Sequence, residues 1–287
     1  MLRPANNSRL LPALFALLLL GVALIASGCG DKKSSSTVPP QERVESALKN
    51  AANIKSGKST LNATIAAGSL PGSFKVTGGG PFDTEAEGGA AFDISLKVNI
   101  AGFDQTIGLI AVDGKNYIEI GDKAFLSDKN SKSSGAIEPK TIQNLINSLN
   151  KYVSNVKQSA SKEINGETVD VYSMTIDLGA LAKDSVAKND GAGASIPGLG
   201  NVSDLATSLG KADATVAINS DDMPVEIGID ADVGGATDSG NSGGLKGTLV
   251  LSDINEPVTI DKPKNVVTDS SALQALGGML GGLGGGQ

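Results

Sequence analysis

Residues 90–100, AAFDISLKVNI, alternate strictly: Ala90, Phe92, Ile94, Leu96, Val98 and Ile100 fall on one side, and Asp93, Ser95, Lys97 and Asn99 on the other. Successive side chains of a strand point to opposite faces, so this pattern predicts a strand with one dry and one wet face. Such a strand needs neighbours for its backbone and a cover for its dry side. The same alternation, less clean, recurs at 61–67, 74–76, 105–111, 116–120, 169–176, 214–218, 225–231 and 245–251. Turn residues at 68–72, Gly102, Asp113-Gly114, Asn165-Gly166 and 221–224 join these segments by short connections, which predicts antiparallel neighbours. The runs Gly78-Gly79-Gly80 and Gly243-Gly244 read as turns or flexible loops.

The cover is also encoded. Residues 40–55 set Val44, Ala47, Leu48, Ala51 and Ile54 at helical spacing, with Pro40 in the first turn and Gly57 past the end. A second stripe (Ile142, Leu145, Ile146, Leu149, Val153, Val156) predicts a helix over 139–156, and a third (Val202, Leu205, Ala206, Leu209) one over 202–209. Residues 177–188 form a weaker candidate. The expected fold is α+β: a curled antiparallel β-sheet, a half-barrel, with a few amphipathic helices over its apolar face. Aromatics are 3% of the chain and tryptophan is absent, so the core is built from Val, Ile, Leu and Ala.

Composition narrows the chemistry. Without histidine, and with Cys29 as the single cysteine, the chain cannot form a Ser/His/Asp triad, a Cys/His pair or a His/Cys zinc site. A carboxylate pair remains formally open, but no spacing among the 31 acids singles one out. The pairs Gly57-Lys58, Gly114-Lys115 and Gly210-Lys211 lack the earlier glycine of a P-loop. Residues 230–241 begin like a calcium loop, with Asp230, Asp232 and Asp238, yet Gly234 and Asn241 stand at two ligand positions. The stretch reads instead as a strand with Glu226, Asp230 and Asp232 outward, running into a glycine-rich loop. No metal, no cofactor and no enzymatic activity are expected. The net charge of −7 makes nucleic acid an improbable partner.

Cys29 sits behind an uncharged apolar run, residues 10–27, preceded by Arg3 and Arg9. That is the basic and apolar anatomy of a signal peptide. Small residues Ala26, Ser27 and Gly28 lead directly into the cysteine, and a Ser-rich polar stretch follows. The pattern resembles a bacterial lipobox, with Ala26 in place of the usual leucine. The resemblance implies that the Cys29 thiol is alkylated with diacylglycerol and the peptide cut before it. An uncleaved membrane anchor, or a chance cysteine behind an ordinary signal peptide, are the alternatives.

The order of features resembles the LppX/LprG-type lipoproteins of actinobacterial envelopes, which are similar in fold to the LolA/LolB carriers. After the lipobox and spacer comes a first helix ending in Ile54-Lys55-Ser56-Gly57. Then follow a DG-x-x-Y turn at 112–118, an ING turn and strand at 164–172, and the opening Met223-Pro224-Val225-Glu226-Ile227. The resemblance covers residues 25–262 and rests on the order of these motifs, since DG and NG turns occur in any hairpin-rich protein. It implies a hydrophobic cavity that holds acylated lipids and carries them between envelope layers. Glycine-rich loops at 191–200 and 234–244, and the tail, depart from the pattern.

The resulting expectation is a signal peptide (1–28), an acylated Cys29 with a flexible spacer (29–40), a lipid-binding half-barrel (41–268) and a glycine-rich disordered tail (269–287). Acyl chains of a lipid or glycolipid would lie against Phe92, Ile94, Leu96, Val98, Ile107 and Leu109. The partners expected are that lipid, the plasma membrane through the acyl anchor, and an envelope transporter, at the extracytoplasmic face of the cell membrane. The rival is a structural or sensory lipoprotein that displays a filled β domain. In a lipoprotein-processing bacterium, Cys29→Ala is expected to abolish incorporation of an alkyne-labelled palmitate and leave the chain at its unprocessed size. Labelling that persists in the variant would remove Cys29 as the anchor.

Overall fold

The structure is a computed structural model that describes residues 38–66, 73–100, 103–126, 151–180, 195–196, 200–201, 209–233 and 243–267. Cys29 and its apolar run, the turns at 68–72 and Gly102, the bulk of the predicted helices at 139–156, 177–188 and 202–209, most of the two glycine-rich loops and the tail lie outside them.

Among the described residues, one complete helix precedes fifteen strands in chain order, and residues 178–180, directly after the ninth strand, are helical. The helix is α1 (Pro40–Ala51). The strands are β1 (Ser56–Ala66), β2 (Ser73–Asp83), β3 (Ala91–Ile100), β4 (Phe103–Val112), β5 (Lys115–Ile120), β6 (Lys123–Leu126), β7 (Val153–Gln158), β8 (Lys162–Ile164), β9 (Glu167–Asp177), β10 (Ser195–Ile196), β11 (Gly200–Asn201), β12 (Leu209–Ile218), β13 (Pro224–Val233), β14 (Gly243–Ser252) and β15 (Val266–Val267). Thirteen form one open sheet, ordered β15-β6-β5-β4-β3-β2-β1-β14-β13-β12-β9-β7, with β8 also paired to β9. All pairs in it are antiparallel except β15 with β6. β10 and β11 pair separately.

The predicted hairpins turn as their residues require. Asp113 and Gly114 (φ 51° and 67°) and Asn165 and Gly166 (φ 52° and 81°) have both central residues at positive φ, the type I′ turn that matches strand twist. Closure of the β12–β13 turn uses Asn219, whose Oδ1 accepts from the backbone N–H of Asp221 and Met223.

At the described ends of two helical expectations, residues 153–156 and Leu209, the chain is strand. Val153 and Val156, three apart, lie on β7, and both pack against the core. A bulge explains their spacing: the β7–β9 register shifts between Ser154 and Lys157, and Asn155 has φ 57°. The extra residue returns Val156 to the face of Val153, so a bulged strand imitates helical periodicity. Leu209, placed last in a helical stripe, instead opens β12.

α1 is shorter than its apolar stripe. The N–H groups of Ala52 and Asn53 bond back to the carbonyls of Lys49 and Asn50, ending the helix. Ile54 joins a separate cluster with Phe82 and Leu251. The buried face of α1, Val44, Ala47, Leu48 and Ala51, shares one core with residues of β1, β2, β3, β9, β12, β13 and β14. Seven neighbouring strands laid flat would extend roughly 29 Å at 4.8 Å spacing, so their joint core with one helix requires the sheet to curl.

Gly78-Gly79-Gly80 is not a turn; it lies inside β2, and Gly243-Gly244 likewise begins β14. Gly79 and Gly80 take φ of 149° and 158°. A Cβ on Gly79 would lie 1.9 Å from the Ser59 carbonyl oxygen, and one on Gly80 1.8 Å from that of Asp93. Neighbouring backbones therefore approach where only glycine fits, as at a barrel corner. Gly79→Ala is expected to cost about 3 kcal/mol in urea unfolding. Gly210→Ala, where an added Cβ meets nothing within 4 Å, should leave the midpoint nearly unchanged. Equal midpoints for both variants would contradict the corner.

Candidate functional site: the inner face of the sheet

Strand register brings the six predicted residues together. Ile94 stands opposite Leu109, Leu96 opposite Ile107, Phe92 opposite Ala111, and Val98 opposite Gln105. Paired residues share a face, so two apolar rows run outward across the strands, Ile94–Leu109–Ile118–Phe125 and Leu96–Ile107–Ile120. Toward the sheet centre, Gly78 lies beside Leu96 and contributes no side chain to the wall.

The six divide by depth. Ile94, Leu96 and Val98 are 3%, 4% and 9% exposed and belong to the core beneath α1. Phe92 and Leu109 are half-buried against that core, and Ile107 is half-buried beyond it. α1 packs chiefly on β7, β12 and β13, so it lies over the other half of the inner face. Over β4, β5 and β6 no helix lies among the described residues. The rows continue into Ile118, Ile120 and Phe125, which the sequence reading did not assign to the site. Ile118 and Ile120 were legible in the alternation of 116–120; Phe125 sits on a four-residue strand, too short to show a period.

One end of the inner face is closed. Ile54, Phe82 and Leu251 pack with Phe92, Met223, Leu249 and Ile254 where α1 passes into β1. α1 is fastened over this end by Arg43, a buried charged residue, which forms an ion pair with Asp222 and donates from Nη2 to the Asn219 carbonyl at 3.4 Å. Asn50 Nδ2 donates to the Asp222 carbonyl at 3.2 Å. Burial first, and then the Asp170 charge, push the Tyr172 hydroxyl pKa up, opposed by neighbouring Arg43. This polar knot holds a helix in place; its cation is already matched by a carboxylate. Among the described residues no group of three or more Asp, Glu, His or Cys side chains could hold a metal ion.

The chain matches no family model and no curated protein. Among solved structures it is similar to LprF from Mycobacterium bovis, with 16% identity, a TM-score of 0.48, and coverage of 78% of this chain and 96% of that one. Similarity to the Mycobacterium tuberculosis lipoprotein LppX has 17% identity, a TM-score of 0.43, and coverage of 79% and 100%. A putative outer membrane lipoprotein-sorting protein domain from Vibrio parahaemolyticus follows at 10% identity and a TM-score of 0.22, covering 78% and 96%. These similarities carry no functional assignment.

The opposite, outer face of β4–β6 is covered by the chain itself. After β14, residues 253–265 cross the back of the sheet. Asn255 Oδ1 accepts from the Lys55 N–H at 2.7 Å, and Ser56 Oγ donates to the Glu256 carbonyl at 2.7 Å. Ile260 packs on the cluster of Ile110, Val112, Tyr117 and Ala124. Lys262 pairs with Asp113 at 2.5 Å, and Asn265 Nδ2 donates to the Asp122 carbonyl at 2.9 Å. The strap brings Asp261 toward Asp93, whose carboxyl pKa is raised, first by burial and then by the Asp261 charge. A raised carboxylate pKa means that the folded state binds more protons than the unfolded one between the two pKa values, so stability falls as pH rises through that window. Asp93→Asn is therefore expected to raise Tm at pH 7 and to lose that advantage below the ordinary carboxylate range. A Tm gain independent of pH would assign the effect to something other than this charge.

Proposed function

We propose that this chain is a membrane-anchored envelope lipoprotein whose sheet holds the acyl chains of a lipid or glycolipid against its inner face and carries them between envelope layers. The observation that carries this reading is the pair of apolar rows across β3–β6. Their inner ends at Ile94 and Leu96 are packed, while Ile107, Leu109, Ile118 and Ile120 remain half-buried. Half-buried apolar side chains in adjoining rows give an acyl chain a surface to cover without displacing the packed core. Phe92, Ile94, Leu96, Val98, Ile107 and Leu109 supply the wall. Burial of chain surface there, at about 25 cal/mol per Å², replaces burial in the bilayer, so exchange is nearly neutral and reversible.

Cys29 supplies the anchor on this reading, since two or more acyl chains hold a protein stably on a membrane. The spacer from Gly30 to Pro40 reaches about 36 Å when extended. It enters α1 close to the closed end of the inner face, where Arg43 meets the β12–β13 turn. An envelope transporter at the extracytoplasmic face is the protein partner this placement allows.

One observation favours the second reading, a filled domain displayed to envelope partners: Ile94, Leu96 and Val98 are already buried in a packed core. Native mass spectrometry with lipid extraction separates the two. The full chain, expressed in a lipid-containing host and washed in detergent, is expected to retain about one acylated lipid per chain. Ile107→Trp, which fills the half-buried strip and spares the packed core, should lose it while keeping the circular dichroism of the parent. A parent chain that is lipid-free and takes up no fluorescent fatty acid would put the displayed-domain reading first.

A further inference from the structure

We propose that the segment 270–287 of this same chain docks on the inner face of β4–β6, where it occupies the strip in the absence of lipid. Its competition with an acyl chain rests on the reading above; its docking does not.

The exit point of the chain carries the argument. β15 runs along the edge strand β6, with Val267 beside Phe125. Paired residues share a face, and Phe125 belongs to the row Phe125–Ile118–Leu109–Ile94. The last described residue of the sheet thus leaves the chain beside Phe125, itself buried, at the outer end of the row whose Ile118 and Leu109 are half-buried. From β15 to β4 is three strand spacings, about 14 Å. Residues 268–272, extended, span about 16 Å, and Leu273 is the next residue.

The segment has the composition such a surface accepts. After Asp269 it has no charged side chain, in a chain of net charge −7, so docking strips water from no ionised side chain of the segment. Leu273, Leu276, Leu280 and Leu283 follow each other at steps of three, four and three, which places them on one side of a helical segment. Seven glycines between Gly277 and Gly286 destabilise that helix in isolation, at roughly 1 kcal/mol each relative to alanine. They also let its backbone approach a surface closely. A segment of this kind orders only against an apolar face, and the β15 exit offers one.

Maleimide labelling tests the docking without reference to lipid. In full chains carrying Cys29→Ala and Ile107→Cys, labelling is compared between the native tail and a tail with all four leucines changed to Ser. Labelling is expected to accelerate on the order of tenfold with the Ser tail, as for a site passing from mostly closed to mostly open. A control at the outward-facing Lys97→Cys should not change. Equal rates at Ile107→Cys for the two tails would overturn the proposal. Slow labelling of the native tail only at high protein concentration would overturn it too, by assigning the cover to a second copy. Uptake of a fluorescent fatty acid by the same two chains then separates the ideas. Faster labelling without uptake by either chain leaves the docking and removes the lipid reading. Equal uptake with equal labelling removes the docking alone.

Discussion

A wide sheet with one apolar face must find cover for that face, and nearly every other feature of this structure follows from how it does so. A flat arrangement of the seven core strands would leave a single twelve-residue helix far too narrow a lid. Curling brings the apolar sides of β3 through β9 toward one another, so that α1 and the opposing strands cover each other. At Gly78, Gly79 and Gly80 neighbouring backbones approach so closely that no side chain can stand.

Cover is unevenly distributed as a result. Arg43 and Asn50 tie α1 to the β12–β13 turn, which commits the helix to the β7, β12 and β13 side of the inner face. The β4–β6 side receives its described cover from behind, through the strap over Ile110, Val112 and Tyr117. That strap makes these three strands apolar on both faces, and it explains why strict alternation fades there. Ile110 beside Leu109, and Tyr117 beside Ile118, each point to a side that needs burial.

The sequence was most readable where one face is wet. β3 stands within a residue of its predicted limits, and the type I′ turns form where Asp-Gly and Asn-Gly signalled them. Legibility failed where a second physical effect overlaid the period. The bulge at Asn155 converted a strand into helical spacing, and the close approaches at Gly79 and Gly80 made a strand interior look like a loop. β6, β8 and β15 are too short to show a period, and the strap has no regular structure to predict. For the candidate site, alternation placed Phe92, Ile94, Leu96, Val98, Ile107 and Leu109 on one face correctly, but it could not rank them by depth. That ranking comes from where α1 is fastened, a tertiary fact carried by an ion pair 179 residues apart in sequence.

Depth decides what the face can do. Side chains packed under α1 are already satisfied, so a guest that displaced them would have to replace the contacts it broke. Ile107, Ile118 and Ile120 are only half-buried and lie beyond that core. An apolar occupant there gains burial without dismantling the core, and the gain scales with the area it covers. On the two proposals above, tail and acyl chain are alternatives for one surface, and the weaker of them needs only to be always present. A tethered segment meets that condition by its effective concentration, even when each leucine contributes little. A glycine-rich sequence suits the proposed role because glycine disfavours an independent helix, so a cover of this kind would also yield.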